Sequence, residues 1–536
     1  MDIGSKMLEL ITLGIIVAVL PLLKTNLSMG GAFKMKESVF IIISIAYLCY
    51  AMVFRGVSNS PLLYLVCFIT MSAMWSTNIN QSWQEIAKWW ALYGLFTLVS
   101  FLPMNTVLMM SMIPIPFILI WGFIQKFGFE PFDKLMKIIT KDFYTSKSSR
   151  FNSSLGNSSY AAAFLAPYVF IAAYLGMNVS WLFFIFIPFI LTGIIITECY
   201  AAILGVLLGV CVIFSHVFTP FALIIYIIIC LRRWHRALYD KWVGSKENSL
   251  FSRIMFSKLA FNLWLKKPLF GWGIKTYQKE QFVMAAELNM NNSRFPLRVH
   301  NDYMEMLCEC GIIGLSLMLY FIFSVIYPAI QSGNYILLGG VICLLVHGMF
   351  LYTLSIFSYV PYIVLASCLT SQTTEHMQLP LMIALICLVG FVKMIINYVI
   401  KLQISQYWTA KSESSTNIGD KCKYAEKALK VTPFEGTVLK NITNIKGIMD
   451  ASLAIPYLEK SLHFFDGTMN LAETWLTYGN TQRLIGDYEG AKKSLNYALY
   501  LNSDLSQANF ILSVINKAEQ NFNGGVKITL PPNMNK

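Results

Sequence analysis

The fold is decided by residues 298–326, which read RVHNDYMEMLCECGIIGLSLMLYFIFSVI. Asp302 and Glu305 have the spacing of an N-cap and the third residue of a helix, so the sequence predicts a helix that begins just after His300. The residues that follow are almost all apolar and, with that start, long enough to cross a bilayer. A titratable imidazole is therefore expected on a loop at the boundary between membrane and water.

The rest of the chain continues this apolar pattern to about residue 400. Of the 536 residues, 56% are hydrophobic and only 13% are charged, which excludes a soluble globular protein of this size. The apolar runs predict an all-α polytopic membrane bundle of about 12–13 transmembrane helices, the first of them a retained helix and not a cleaved signal. The candidate spans are 8–23, 38–54, 61–75, 85–102, 105–124, 159–177, 181–197, 199–215, 218–231, 302–329, 335–354, 356–371 and 379–400.

The chain lacks the sequence patterns of zinc sites and of phosphate-binding loops. No cluster of His, Cys and carboxylates has the spacing of a zinc site, and no glycine-rich phosphate loop occurs, so we expect no metal and no cofactor. The 11 cysteines lie mostly inside apolar spans, as small buried hydrophobic residues. The net charge of +13 is scattered over loops, which favours anionic lipid headgroups or a phosphorylated lipid as partners, and no nucleic acid.

A second pattern follows His300. After His300 and Asn301 come nine residues, Gly311, two residues and Gly314. This spacing resembles the signature of O-antigen ligases and related membrane O-oligosaccharyltransferases. Taken alone, the same residues are also compatible with an interfacial polar His and two glycines that allow close helix packing.

Further motifs resemble the same family in the same order, and the resemblance covers roughly residues 85–370. Residues 152–161 (NSSLGNSSYA) are similar to its entry to a membrane helix, without the proline found there. Arg253 lies fifteen residues before a turn, PLFGWG, in which Gly271 and Gly273 allow a tight backbone path.

One motif departs from the family. Residues 197–201 read TECYA where many relatives carry an arginine. One phosphate-binding role is therefore unassigned, or falls to Arg150, Arg294 or Arg298.

The resemblance implies transfer of a glycan from a polyprenyl-diphosphate carrier to a hydroxyl, usually with inversion at the anomeric carbon. Arg253 and Arg298 are assigned to the departing diphosphate, because a guanidinium donates two parallel hydrogen bonds and keeps its charge. His300 is assigned as base, or as a hydrogen-bond donor to the phosphate, since its pKa lies near neutrality. A neighbouring Arg298 is expected to keep His300 neutral. The alternative for each arginine is a snorkelling interfacial side chain.

The orientation of the basic loop at about 232–301 can be argued in two ways. The positive-inside rule places this loop in the cytoplasm. Counting nine spans from a cytoplasmic N-terminus places it outside. We follow the count and the resemblance, because the rule is weakest for long loops and a loop that binds diphosphate has its own reason to be basic.

After Lys401 the composition becomes polar and a helical repeat pattern begins. Ala428, Ser461 and Ala498 occupy equivalent positions in segments that resemble tetratricopeptide repeats, with steps of 33 and 37 residues. The predicted domains are therefore a membrane domain (1–401), a small α-solenoid (402–523) and a disordered tail (524–536). The solenoid is either a packing appendage or a surface for a peptide, acceptor or assembly partner.

Three functions follow as alternatives. The first is a metal-independent glycosyltransferase of the bacterial inner membrane, with its site facing the periplasm and with a lipid A–core sugar or a protein Ser/Thr as acceptor. The second is an O-antigen or capsule polymerase, whose acceptor is another lipid-linked glycan. The third, a non-enzymatic transporter of polysaccharide or lipid, is disfavoured because few charges lie within the spans and no repeat of the membrane segments is visible.

Overall fold

The computed structural model describes residues 3–22, 31–128, 151–214, 249–288, 290, 298–350, 356–371, 373–463 and 471–523. Within these ranges the protein is all-α apart from one pair of short antiparallel strands, as the sequence predicts. The chain divides into two compact units, 1–275 with 298–400, and 276–297 with 401–536. The second unit thus takes a segment out of the loop between two membrane helices.

The helices before residue 400 carry the labels used below. They are α1 (Ile3–Gly14), α2 (Gly31–Phe54), α3 (Pro61–Ser72), α4 (Ile79–Ser100), α5 (Met104–Met112), α6 (Ile115–Lys126), α7 (Ser158–Asn178), α8 (Phe186–Ile196), α9 (Tyr200–Phe214), α10 (Ser249–Lys266), α11 (Tyr277–Glu287), α12 (Asp302–Gln331), α13 (Tyr335–Phe350), α14 (Ile356–Thr370) and α15 (Leu381–Ile395). The strands are β1 (Val57–Asn59) and β2 (Glu375–Met377).

Each predicted span in the described ranges overlaps one or two of these helices, although several ends differ by five residues or more. Among the described residues, five shorter apolar helices accompany six stretches that are long and apolar enough to cross a membrane: Gly4–Leu22, Lys36–Phe54, Met104–Lys126, Ser158–Asn178, Asp302–Gln331 and Leu381–Ser414. The predicted span 218–231 lies outside the described residues. The prediction of a multi-pass, all-α membrane protein is confirmed.

Small residues let α9 and α13 approach closely. A methyl group added at Gly205 would lie 2.9 Å from the carbonyl oxygen of Cys343, and one at Gly209 would lie 2.6 Å from that of Gly339. Lipid offers helices no hydrophobic driving force for association, so such backbone contact is a main source of packing energy between them. These contacts fix α13 in the membrane unit.

The helix after His300 begins as predicted, but the predicted N-cap is wrong by one residue. The side chain of Asn301, not that of Asp302, accepts a hydrogen bond from the N–H of Met304 at 3.0 Å. Asn and Asp cap helices equally well, and Asn301 has the extended backbone that a cap requires.

The second unit consists of helix pairs. The pairs are α16 (Lys401–Ser414) with α17 (Ile418–Val431), α18 (Gly436–Met449) with α19 (Ala451–His463), and α20 (Leu471–Leu484) with α21 (Tyr488–Leu501), followed by α22 (Ser506–Asn523). Ala428, Ser461 and Ala498 are all buried in the second helix of their pair. The aligned positions are therefore buried at equivalent places in three successive helix pairs.

The loop helix α11 is part of this second unit. Phe282 on α11 is buried in one apolar cluster with Leu471, Ala472 and Leu501 of the helix pairs. The cluster joins α11 to α20 and α21, and its residues Phe282 and Leu471 are 189 positions apart in the chain. The C-terminal unit is thus completed by a segment from the middle of the chain.

Candidate functional site

The turn at residues 268–273 docks into a break in α12. At Gly311 the backbone leaves the helical region (φ 66°, ψ −169°), so a short helix that follows His300 is separated from the apolar segment. Backbone hydrogen bonds join the turn to this break: Trp272 N–H to Cys308 O (3.2 Å), Gly273 N–H to Glu309 O (2.8 Å), Ile312 N–H to Pro268 O (2.9 Å) and Ile313 N–H to Leu269 O (3.3 Å). The two glycine motifs found in the sequence therefore form one structure.

Glycine is required on both sides of this contact. Gly271 and Gly311 have φ values of 67° and 66°, where other L-residues are strained. A methyl group at Gly311 would overlap the carbonyl oxygen of Leu269, and one at Gly271 would overlap the backbone of Glu309. The close approach therefore joins the turn directly to the helix that follows His300.

His300 is held in an unusual backbone conformation. Its φ of 60° is left-handed, which is rare and strained for a residue other than glycine. The neighbours hold it there, because Glu305 accepts the N–H of Val299 at 3.0 Å and Asn301 caps α12. Its ring lies 6.1 Å from that of Phe256, centroid to centroid. No residue in the described part of the chain forms a hydrogen bond to His300 Nδ1.

The electrostatic surroundings favour a neutral His300. Burial lowers the pKa of His300, the guanidinium of Arg253 lowers it further, and Glu305 acts in the opposite direction. The sequence predicts this effect for Arg298, whereas in the structure the pKa of His300 is lowered by Arg253. A neutral imidazole can accept a proton, which a base requires.

Arg298 takes part in a buried ion-pair network. Its guanidinium is paired with Glu85 at 2.7 Å and with Glu305 at 2.5 Å, and only 5% of the residue is exposed. Lys88 lies 3.6 Å from Glu85 and 3.4 Å from Glu37. Because Glu305 also holds Val299, the network fixes the backbone directly before His300.

Lys275 joins the same network from the glycine turn. Its Nζ lies 3.9 Å from Glu85, and its backbone N–H donates to Glu309 at 2.8 Å. Burial and the charge of Arg298 lower the pKa of Lys275, while Glu85 opposes them. Neither Lys275 nor Glu85 was predicted from the sequence as a site residue. A carboxylate at the start of an apolar run and a lysine two residues after the turn were the available signals.

Arg253 lies within electrostatic reach of residues from several motifs. This residue of α10 acts electrostatically on His300, on Cys199 of the 197–201 segment, and on His347 of α13. The 197–201 segment therefore lies within electrostatic reach of an arginine on α10. His347 was not predicted from the sequence as a site residue, although an imidazole in an apolar helix was a visible signal.

Buried polar side chains form hydrogen bonds to the backbone of the motif at 152–161. Lys36 donates to the carbonyl of Ser154 at 2.8 Å, and Gln125 accepts the N–H of Asn152 at 3.1 Å. Asn157 caps α7, and Tyr160 on the first turn of that helix lies within electrostatic reach of Arg298. Arg150 and Arg294, the other candidates for binding diphosphate, lie outside the described residues.

One comparison with known proteins identifies this region. The family model for O-antigen ligase matches residues 154–319. The match contains Arg253, the glycine turn, His300 and the break at Gly311, and it leaves the helix pairs after residue 400 outside. No curated protein matches the chain. The resemblance found in the sequence is confirmed for this region.

Proposed function

We propose that the protein is an inner-membrane glycosyltransferase that moves a glycan from a polyprenyl-diphosphate carrier to an acceptor hydroxyl. The family match supports a membrane enzyme that acts on glycans, of the ligase or polymerase type. The observation that carries the finer proposal is the pairing of a neutral, strained His300 with Arg253 at the end of a membrane helix. That pairing supports the proposal that a proton acceptor and a phosphate-binding cation act together.

In the proposed reaction the acceptor oxygen attacks the anomeric carbon while the bond from that carbon to the diphosphate oxygen breaks. The proton of the acceptor hydroxyl passes to His300. The bonding electrons leave with the diphosphate, whose increased charge is stabilised by the guanidinium of Arg253 through two parallel N–H donors. Attack opposite the leaving group inverts the anomeric configuration.

Arg298 has a different role in this proposal from that of Arg253. Its two ion pairs direct its donors to Glu85 and Glu305. We therefore assign Arg298 as a positioning residue that fixes Val299 and His300. It affects the diphosphate only indirectly, through these two residues. Arg150 and Arg294 remain proposals for further contacts with the diphosphate.

The proposal is tested by transfer from a purified polyprenyl-diphosphate-linked glycan. The full-length protein in lipid nanodiscs would receive one of three acceptors: lipid A–core, a Ser/Thr-containing protein, or more of the lipid-linked glycan. Transfer to either of the first two identifies a ligase, and chain extension of the third identifies a polymerase. Failure to consume the donor with every acceptor would contradict the proposed function.

A further inference from the structure

The apolar helix α13 carries one titratable imidazole, that of His347, which the proposed reaction does not yet use. His347 is 1% exposed, and its Nδ1 has no hydrogen-bond partner among the residues that the structure describes. A buried polar atom without a partner costs about 1–3 kcal/mol, so a missing partner is expected to come from a ligand. His347 lies three residues before Phe350, the last residue of α13 that the structure describes.

The loop of His300 is docked on the turn of α13 that contains His347. Asn301 donates to the carbonyl of Met349 at 3.1 Å, and the hydroxyl of Tyr303 donates to the carbonyl of Leu345 at 3.0 Å. Between them, the carboxylate of Asp302 lies against Gly348. These contacts flank His347 on both sides along the helix.

The two imidazoles are also close to the same cation. Arg253 lies within electrostatic reach of both His300 and His347. The base and the phosphate-binding cation of the proposed reaction are therefore both neighbours of this unexplained buried group.

We propose that His347 is a second histidine of the reaction centre, whose neutral imidazole donates an N–H to a diphosphate oxygen of the lipid-linked donor. This inference rests on the proposed function. When the anomeric carbon–oxygen bond breaks, the electron pair moves to that oxygen, and the donated hydrogen bond strengthens with its charge. The acceptor proton still passes to His300, and His347 keeps its own proton throughout.

The test compares two substitutions of His347 in the full-length protein in nanodiscs. His347→Leu fills a similar volume without a donor, whereas His347→Gln keeps an N–H donor. The leucine variant is expected to lose turnover on the order of 10²-fold and the glutamine variant much less. His376→Leu is the control, because this exposed histidine on β2 stacks on Phe101 and not on residues of the site.

A second measurement separates substrate contact from structural support. Free polyprenyl diphosphate, the released product, should inhibit the His347→Leu variant more weakly than wild type, with an unchanged thermal unfolding temperature. If the leucine variant does not fold, inhibition by free polyprenyl diphosphate is measured on His347→Gln instead. A wild-type inhibition constant together with a large loss of turnover then contradicts the proposal. Wild-type turnover of the leucine variant contradicts it as well. Absence of transfer by the wild type and by His376→Leu contradicts the proposed function instead.

Discussion

At the scale of single residues, the strained backbone of His300 is the feature with most consequence. A left-handed conformation costs a residue other than glycine about 1–3 kcal/mol, and such strain persists only where the surroundings impose it. Glu305 and the Asn301 cap impose it here from both sides. The imidazole is thereby oriented before any substrate arrives, and substrate binding does not have to order it.

The first prediction separates the backbone of His300 from its chemistry. Asparagine tolerates left-handed φ better than alanine does. His300→Asn should therefore unfold at a temperature close to that of wild type, and His300→Ala at a lower one, while both lose on the order of 10²- to 10⁴-fold in transfer. Thermal unfolding and donor turnover of the purified proteins check this. Normal transfer by folded His300→Asn would exclude a catalytic role.

The second prediction concerns pH. Burial and Arg253 hold the pKa of His300 below its ordinary value of 6.5. A base works only when unprotonated, so kcat/KM should be constant above this value and fall tenfold per pH unit only below the lowered pKa. Arg253→Gln removes the neighbouring charge, so the midpoint of its residual activity should move to higher pH. Activity that instead falls as the pH rises through 6.5 would show that the imidazolium is the active form.

The third prediction concerns the geometry of Arg253. Lysine keeps the positive charge but lacks two parallel donors, so Arg253→Lys should lose on the order of 10²-fold in turnover, or about 2.7 kcal/mol. Donor binding should weaken less, because the leaving diphosphate gains charge only as the bond breaks. Lys258→Ala, an exposed cation on the same helix, serves as control. Wild-type kinetics for Arg253→Lys would reduce its role to a surface charge.

At the scale of helices, most of the structure was predictable because the signal is local. A run of apolar residues long enough to cross a bilayer specifies a helix whatever its neighbours are. The break at Gly311 was not predictable in the same way, since a lone glycine is tolerated inside a helix. The break depends on the turn at residues 268–273, whose backbone occupies the space that a continuous helix would fill.

The fourth prediction tests that break. Gly311→Ala introduces both a disfavoured φ and an overlap with the carbonyl of Leu269, so it should destabilise the protein by more than about 1–2 kcal/mol. Transfer should be lost with it, because the turn and the His300 loop share the contact. Gly390→Ala is the control, since this glycine of α15 has open space around it. Equal thermal unfolding temperatures for both variants would contradict the argument.

At the scale of the whole molecule, the parts of the site that escaped prediction are those joined over long distances. Glu85 and Arg298 are 213 residues apart in the chain, and neither position indicates the other. The same holds for Arg253 and His347, which lie on different helices. His300 itself was predictable, because its spacing to Gly311 and Gly314 is contained in one short motif.

The fifth prediction concerns the side of the membrane. Four membrane helices, α12 to α15, separate the His300 loop from Lys401, so the loop and the helix pairs should lie on the same side, outside the cytoplasm. Cysteines at Glu287 and Gln507 should both react with a membrane-impermeant reagent added from outside, in a protein without native cysteines. A cysteine at Ser332, between α12 and α13, should be protected. Reaction at only one of the first two would contradict the shared side.

The inclusion of α11 in the C-terminal unit has a consequence for gene fusion and for inheritance. Without α11, the unit loses the buried ring of Phe282 and uncovers Leu471, Ala472 and Leu501, an apolar surface of the kind that makes proteins aggregate. A chimera that exchanges only the region after Lys401 with that of a relative would therefore combine mismatched halves of one core. Viable recombinants must carry the loop segment and the distal helices together, so the two stretches are expected to change in concert.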